Sequence, residues 1–307
     1  MIMRRALQKA LSPACLAASL VLTQPSEAVE YGIGEYFLGL EIPMAGYVPP
    51  PGAYFWDTFF LYQGSRPALD VSFVSNIAQA GYFISTDLAN ATFGIVATIP
   101  FIGDRNSVPF SFTNAAGISE TIRQYAEIAS IADTDYSAVL GWHAGDNNWC
   151  VVLTGFAPTG DYNASRFVQT GLNRPALDLK GAYTFLSLKT GAEISAALGM
   201  TFNALNTITD YQSGVELHFE WALNQHFSSG IAAGIGGYFY QQLTSDYGAG
   251  DTAGSFKGRV AAIGPLLSYS FKAGDQEVDL SGRWFHEFAV ENRAQGDAIY
   301  GTISFRL

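Results

Sequence analysis

The C-terminal half of the chain separates into two faces when it is read two residues at a time. In residues 211–223, YQSGVELHFEWAL, Val215, Leu217, Phe219, Trp221 and Leu223 alternate with Glu216, His218, Glu220 and Ala222. In 277–290, Val278, Leu280, Trp284 and Phe288 alternate with Asp279, Ser281, Arg283 and Glu287. In 191–204, Ile194, Leu198, Met200 and Phe202 oppose Glu193, Ser195, Thr201 and Asn203. The last ten residues, AIYGTISFRL, place Ile299, Gly301, Ile303, Phe305 and Leu307 opposite Tyr300, Thr302, Ser304 and Arg306. Side chains alternate across a strand, so each segment predicts a β-strand with one apolar and one polar face.

Counting back from the C-terminus, the pattern predicts strands near 297–307, 277–290, 256–271, 229–243, 212–223, 192–204, 177–188, 149–157, 134–143, 90–101, 70–86 and 54–63. The connections alternate between tight turns (144–148, 189–191, 224–228, 272–276) and longer loops (158–175, 205–211, 244–255, 291–296). Together these predict an all-β fold: a transmembrane, antiparallel, up-and-down β-barrel of about 12 strands, with short turns at one end and loops at the other. An even count places both termini at the short-turn, periplasmic end.

Three stretches break the rhythm. Pro49, Pro50 and Pro51 lack the donors that a central strand needs. In 118–133, ISETIRQYAEIASIAD, the spacing of Ile122, Tyr125 and Ile128 and the Thr121/Gln124 pair predict a short helix inside a long loop. In 259–271, RVAAIGPLLSYSF, the apolar side changes parity near Ile263-Gly264-Pro265. A β-bulge at 263–265 would account for the change and would turn Arg259 to the lumen, with Leu267 and Tyr269 toward lipid; the alternative is a regular strand in which Pro265 sits where its missing donor faces no partner.

Composition sharpens the membrane reading. Apolar residues make up 49% of the chain and charged residues 14%, against about 25% charged in soluble domains. Beyond the N-terminus no run approaches the roughly 18 apolar residues of a membrane helix, so the apolar residues are interleaved, as a membrane barrel requires. The N-terminus itself has Arg4, Arg5 and Lys9, an apolar run from Ala10 to Leu22, and Ser26-Glu27-Ala28. This order predicts a signal peptide over residues 1–28 cleaved after Ala28, and a barrel domain over 29–307. Losing Arg4, Arg5, Lys9 and Glu27 takes the net charge from −11 to −13. An acidic chain of this kind repels phosphate backbones, so nucleic acid is not an expected partner. The expected partners are outer-membrane lipid, a small-molecule solute and the barrel-assembly machinery. Cys150 alone remains after cleavage, which excludes an internal disulfide.

The polar parities nominate a lumen lining: Glu193, Glu216, His218, Glu220, Lys257, Arg259, Asp279, Arg283, Glu287 and Arg306. Charges of both signs fit either a filled, rigid lumen or a permeation path. No HExxH, Walker or EF-hand pattern is present, so no catalytic residue, metal site or cofactor is predicted. A barrel hydrolase would need a serine paired with one of His143, His218, His226 or His286.

Several blocks carry a resemblance. They are YVPPPGAYF (47–55), LGWH (140–143), GFAPTGDYNASRFVQTGLN (155–173), GAYTFL (181–186), YQSGVELHFEWALNQHF (211–227), GGYFYQQLTSDYGAG (236–250) and FKGRVAAIGPLLSY (256–269). They resemble the outer-membrane family described as proteins involved in the meta-pathway of phenol degradation. The resemblance implies a β-barrel transporter for hydrophobic or aromatic compounds, and it carries no catalytic residues with it. It also implies that the C-terminal strand is what the assembly machinery recognises. Leu307 stands where such strands usually end in Phe, with Phe305 two places earlier on the same face. The expected function is passive uptake through an outer-membrane channel; the alternative is a structural or adhesive barrel with a plugged lumen.

Overall fold

The computed structural model describes residues 29–32, 34–67, 69–113, 119–166, 168–252, 254 and 256–307, with 31, 108–113 and 119–122 described by their backbone alone. The predicted signal peptide lies outside the described residues. The strands are β1 (Gly52–Arg66), β2 (Leu69–Ser85), β3 (Thr92–Thr113), β4 (Ser119–Ile131), β5 (Thr134–Ala144), β6 (Asn147–Ala157), β7 (Ala176–Leu186), β8 (Ala192–Asn203), β9 (Glu216–His226), β10 (Ile231–Gln242), β11 (Arg259–Ala273), β12 (Gln276–Glu291) and β13 (Gln295–Arg306). Each pairs antiparallel with its neighbours. The ring closes where Tyr54–Ser65 of β1 run against Arg306–Gln295 of β13. Closure satisfies the backbone groups of both edge strands, which is the condition for a sheet to sit in hydrocarbon.

The thirteen strands make a twelve-stranded ring because β4 and β5 share one place in it. Both run along β3: Thr98 pairs with Asp135 of β5, and Phe101 with Ile131 of β4. Two residues of β3, Ile99 and Pro100, therefore face three, Ala132, Asp133 and Thr134. This is a bulge, held by the Ala132 N–H donating to Pro100 O at 2.8 Å. Here the structure corrects the predicted helix: Ser119–Ile131 is strand, paired along its whole length with β3. Its alternation is poor because the β3–β4 hairpin extends past the apolar belt, where neither face is required to be greasy. Arg123 pairs with Asp70, and the Arg105 guanidinium lies 4.5 Å above the Tyr125 ring.

A second correction concerns β11. Its register with β10 runs without a break from Ile231↔Tyr269 to Gln241↔Arg259, so there is no bulge at 263–265. Val260, Ala262 and Leu266 are buried inside, while Ile263 and Leu267 are exposed outside. Arg259 shares the outward parity of Leu267 and pairs with Glu291 at the long-loop end. The register slip lies across the ladder on β12: Arg259 pairs with Glu291 but Ala261 with Phe288, with Ala289 at φ 52. Pro265 pairs with Ile235 of β10, while the β11–β12 pairing passes from Ile263 directly to Leu266, so the missing donor falls in a gap. Polar parity misassigns this strand because not every inward position is polar: part of the lumen is an apolar core.

The outer surface is the apolar belt that the sequence predicts. Ile95, Leu153, Leu179, Ile194, Leu198, Leu223, Ile235, Leu267 and Ile299 are all exposed. In water, a surface with this many exposed large apolar side chains would drive aggregation; in a bilayer the same surface is solvated by lipid tails.

Candidate functional site: an occupied lumen

Residues 29–32 and 34–49 run through the inside of the barrel. Leu307 N–H donates to Ala53 O at the short-turn end, where β13 finishes and β1 starts. The first described residue, Val29, lies at the other end, against Asp246 in the loop after β10. Both strand termini thus fall at the short-turn end as expected, but the chain ahead of β1 climbs the lumen to the opposite mouth.

The wall grips this segment through its backbone. Glu220 on β9 accepts from Tyr36 OH (2.9 Å), Gly39 N (2.8 Å) and Glu41 N (3.1 Å). Glu193 on β8 accepts from Met44 N at 2.9 Å, and Thr184 on β7 from Gly46 N at 2.9 Å. Arg283 on β12 donates to Leu40 O at 2.8 Å and to Ile42 O, and Tyr300 on β13 donates to Leu38 O at 2.6 Å. Lys180 on β7 pairs with Glu41 at 2.6 Å. Apart from one 3-10 turn at Glu30–Gly32 the segment has no regular secondary structure, so most of its backbone donors and acceptors are unused, and inward side chains of the right polarity satisfy them. Two glycines permit the fit. Gly39 has φ +88, which favours glycine, and a Cβ on Gly46 would lie 2.5 Å from the backbone nitrogen of Thr184.

The remaining contacts are apolar. Ile42 is fully buried with Phe60, Ile77, Tyr238, Val260, Leu266, Phe285 and Tyr300, and Phe37, Leu38, Leu40 and Ala45 pack onto this cluster. Phe60 and Tyr300 stack with centroids 4.2 Å apart. Nearer the short-turn end Val48 packs against Phe83, Cys150 and Val152. An enclosed gap beside Gly34, Tyr36, His218, Tyr240 and Arg293 offers about 10 Å³, room for roughly one water.

Of the ten predicted lining residues, six are inside. Glu193, Glu216, His218, Glu220, Arg283 and Glu287 are buried. Glu216 accepts from Asn203 at 2.7 Å, and Glu287 from Tyr62 (2.8 Å) and Tyr238 (2.9 Å). Asp279 and Arg306 sit exposed at the short-turn mouth, Asp279 bonded to Ser270 and Arg306 to Pro51 O at 2.8 Å. Two assignments are corrected. Arg259 faces outward, as described, and Lys257 is exposed in the loop before β11, donating to Leu243 O at 2.6 Å. Both follow the periodicity of a strand that starts only at Arg259 and lies, at this end, beyond the belt.

Sequence reasoning missed Asp178 and Lys180, which alternate with Leu177 and Leu179 on β7 and were legible by the same parity. It also missed Tyr36, Glu41 and the whole lumen segment, for which a strand-based reading has no signal. Each histidine hydrogen-bonds a carboxylate or an amide among the described residues: His143 to Asn148 (2.6 Å), His218 to Asp178 (2.7 Å), His226 to Glu193 (2.7 Å) and His286 to Asp297 (3.0 Å). A hydrolase would require one of them on a serine.

A closed twelve-stranded barrel with an apolar outer belt and a folded-in segment defines the class as a transmembrane β-barrel of the outer-membrane type. The chain belongs to the family described as "Putative MetA-pathway of phenol degradation", whose model matches residues 46–303. Among solved structures it is similar to the COG4313 outer membrane channel from Pseudomonas putida F1, at 16% identity and TM-score 0.67, covering 87% of this chain and 99% of that one. A more distant likeness is to the β domain of the Bordetella autotransporter BrkA, at 8% identity and TM-score 0.47, covering 84% and 100%. No curated protein matches the sequence.

Proposed function

We propose that the protein is an outer-membrane channel for the passive uptake of small hydrophobic or aromatic compounds, with the lumen segment as its internal constriction. The observation that carries this reading is the character of the lumen at mid-height. Phe37, Phe60, Phe73, Tyr238, Phe285 and Tyr300 form an apolar, aromatic interior that hydrated ions would not favour and that apolar rings would. The likeness to a solved outer membrane channel is consistent with it. The barrel-assembly machinery and outer-membrane lipid are its proposed partners, through the C-terminal strand and the apolar belt.

The packed lumen equally favours a second reading, a structural barrel with no transport. Planar-bilayer and liposome measurements separate the two. The channel reading expects the intact chain to conduct weakly, a variant lacking residues 29–46 to conduct strongly, and liposomes bearing the intact chain to take up a small aromatic solute faster than a sugar of equal size. No uptake of either solute by the intact chain, whatever the truncated form does, would establish the structural barrel.

A further inference from the structure

The deepest-held part of the lumen segment is its beginning. Val29 is fully buried and its nitrogen donates to Asp246 Oδ2 at 2.9 Å. Asp246 is itself buried, and it also accepts from Tyr211 OH, Gly214 N (2.7 Å) and Gln242 Nε2. These other three donors are neutral, and Asp246 has no part in the ion pairs found among the described residues. A buried carboxylate without a cation is costly. The next residue is held as firmly: Glu30 N donates to Ser213 Oγ at 3.2 Å, and its carboxylate accepts from Asn206 (3.0 Å) and Thr209 (2.6 Å) and lies 3.5 Å from Arg174. Three loops, those bearing Arg174, Asn206 and Asp246, thus build one receptor around two residues.

Val29 also has φ 58. For a β-branched residue inside a chain this is a strained outlier, because the preceding carbonyl crowds the side chain. A residue that begins a chain has no preceding carbonyl, so the same geometry then carries no strain. Both the strain and the missing cation are resolved at one position, the bond that the sequence marks for leader cleavage.

We infer that the amino group released at Val29 is a structural element of the barrel. Hydrolysis of the Ala28–Val29 bond by a leader peptidase adds one water, leaving Ala28 a carboxylate and Val29 an α-ammonium. Asp246 holds that ammonium as a buried ion pair. Leader removal thereby supplies the charge that locks the segment in the lumen, and an uncleaved or wrongly cleaved chain lacks it.

The test uses mature protein purified from outer membranes. Mass spectrometry of its N-terminal peptide should find Val29 first. An amine-reactive reagent at neutral pH should modify the folded protein's α-amine about tenfold or more slowly than the exposed Lys189, since reaction waits on local opening, and equally fast after unfolding. In Asp246→Asn the α-amine should become reactive in the folded barrel and residues 34–48 should become cleavable by added protease. If that variant fails to assemble, a chain processed with one extra Ala ahead of Val29 decides the matter, because it keeps Asp246 and moves the ammonium away; it should show the same exposure. A mature terminus elsewhere, a freely reactive α-amine in the folded wild type, or an extended chain as protected as the wild type would each overturn the inference.

Discussion

The two sides of the lumen hold the same segment by different means. On β7, β8 and β9 the wall presents Lys180, Thr184, Glu193 and Glu220 to backbone groups and to Glu41. Across the barrel, β1 and β2 present Phe60, Phe73 and Ile77 to the segment's side chains. The polar side specifies where the amides of Gly39, Glu41, Met44 and Gly46 sit, since a hydrogen bond to a carboxylate is directional and leaving a buried carboxylate unsatisfied is costly. The apolar side specifies only volume and would tolerate a shift. The difference implies that docking depends chiefly on β7–β9, and barrel stability more on the aromatic side.

Glu220→Ala should have the largest effect. It removes the acceptor of three hydrogen bonds, each worth about 1.5–3 kcal/mol to a charged partner. The segment should become accessible to protease around residues 36–41 while the barrel remains closed, as judged by the mobility of unheated against boiled protein on a gel. A segment that stays protected would mean that the apolar side does the docking. Phe60→Ala should come next, lowering the urea midpoint of the whole barrel by the equivalent of about 3–5 kcal/mol with the segment still protected. If instead the segment is released and the midpoint is unchanged, the two sides have the opposite roles.

On the outer surface, Phe219→Arg should destabilise the folded barrel by about 2–4 kcal/mol, the cost of arginine facing the bilayer interior, whereas Gln63→Arg near the long-loop end should cost about 1 kcal/mol or less. Equal tolerance would place the belt wrongly. The smallest effect is expected in the loop between β6 and β7. Arg166 hydrogen-bonds Asp161, with one contact at 3.0 Å, and holds its carboxyl below the usual range. A lowered carboxylate pKa contributes stability above its ordinary titration range that is lost as pH falls through the lowered value. The pair lies at the surface, where solvent screens it, and Asp161→Asn should leave unfolding between pH 3 and pH 7 unchanged within error. A measurable change would show that this loop is part of the docking receptor.

Strand positions were legible wherever a strand lies between lipid and lumen. The expected 192–204 is Ala192–Asn203, and the expected 134–143 is Thr134–Ala144. The buried charges Glu193, Glu216, Glu220, Arg283 and Glu287 followed from parity alone. Parity failed at β4, which stands beyond the belt, and at β11, whose inward Val260, Ala262 and Leu266 pack against Ile42. In both cases the local sequence was read against an environment that the strand does not have.

What the sequence by itself determined is therefore the wall: a closed, antiparallel, membrane-type barrel with its lipid face and most of its inward charges. A period of two is a local property, written afresh in each ten residues. Only the tertiary structure decided that the segment ahead of β1 fills the interior. That segment has no period, and the hydrogen bonds that hold its backbone to the wall each span well over a hundred residues, such as Gly39 with Glu220 and Ile42 with Arg283. Its conformation comes from the complementary groups that twelve strands bring together only after the ring has closed.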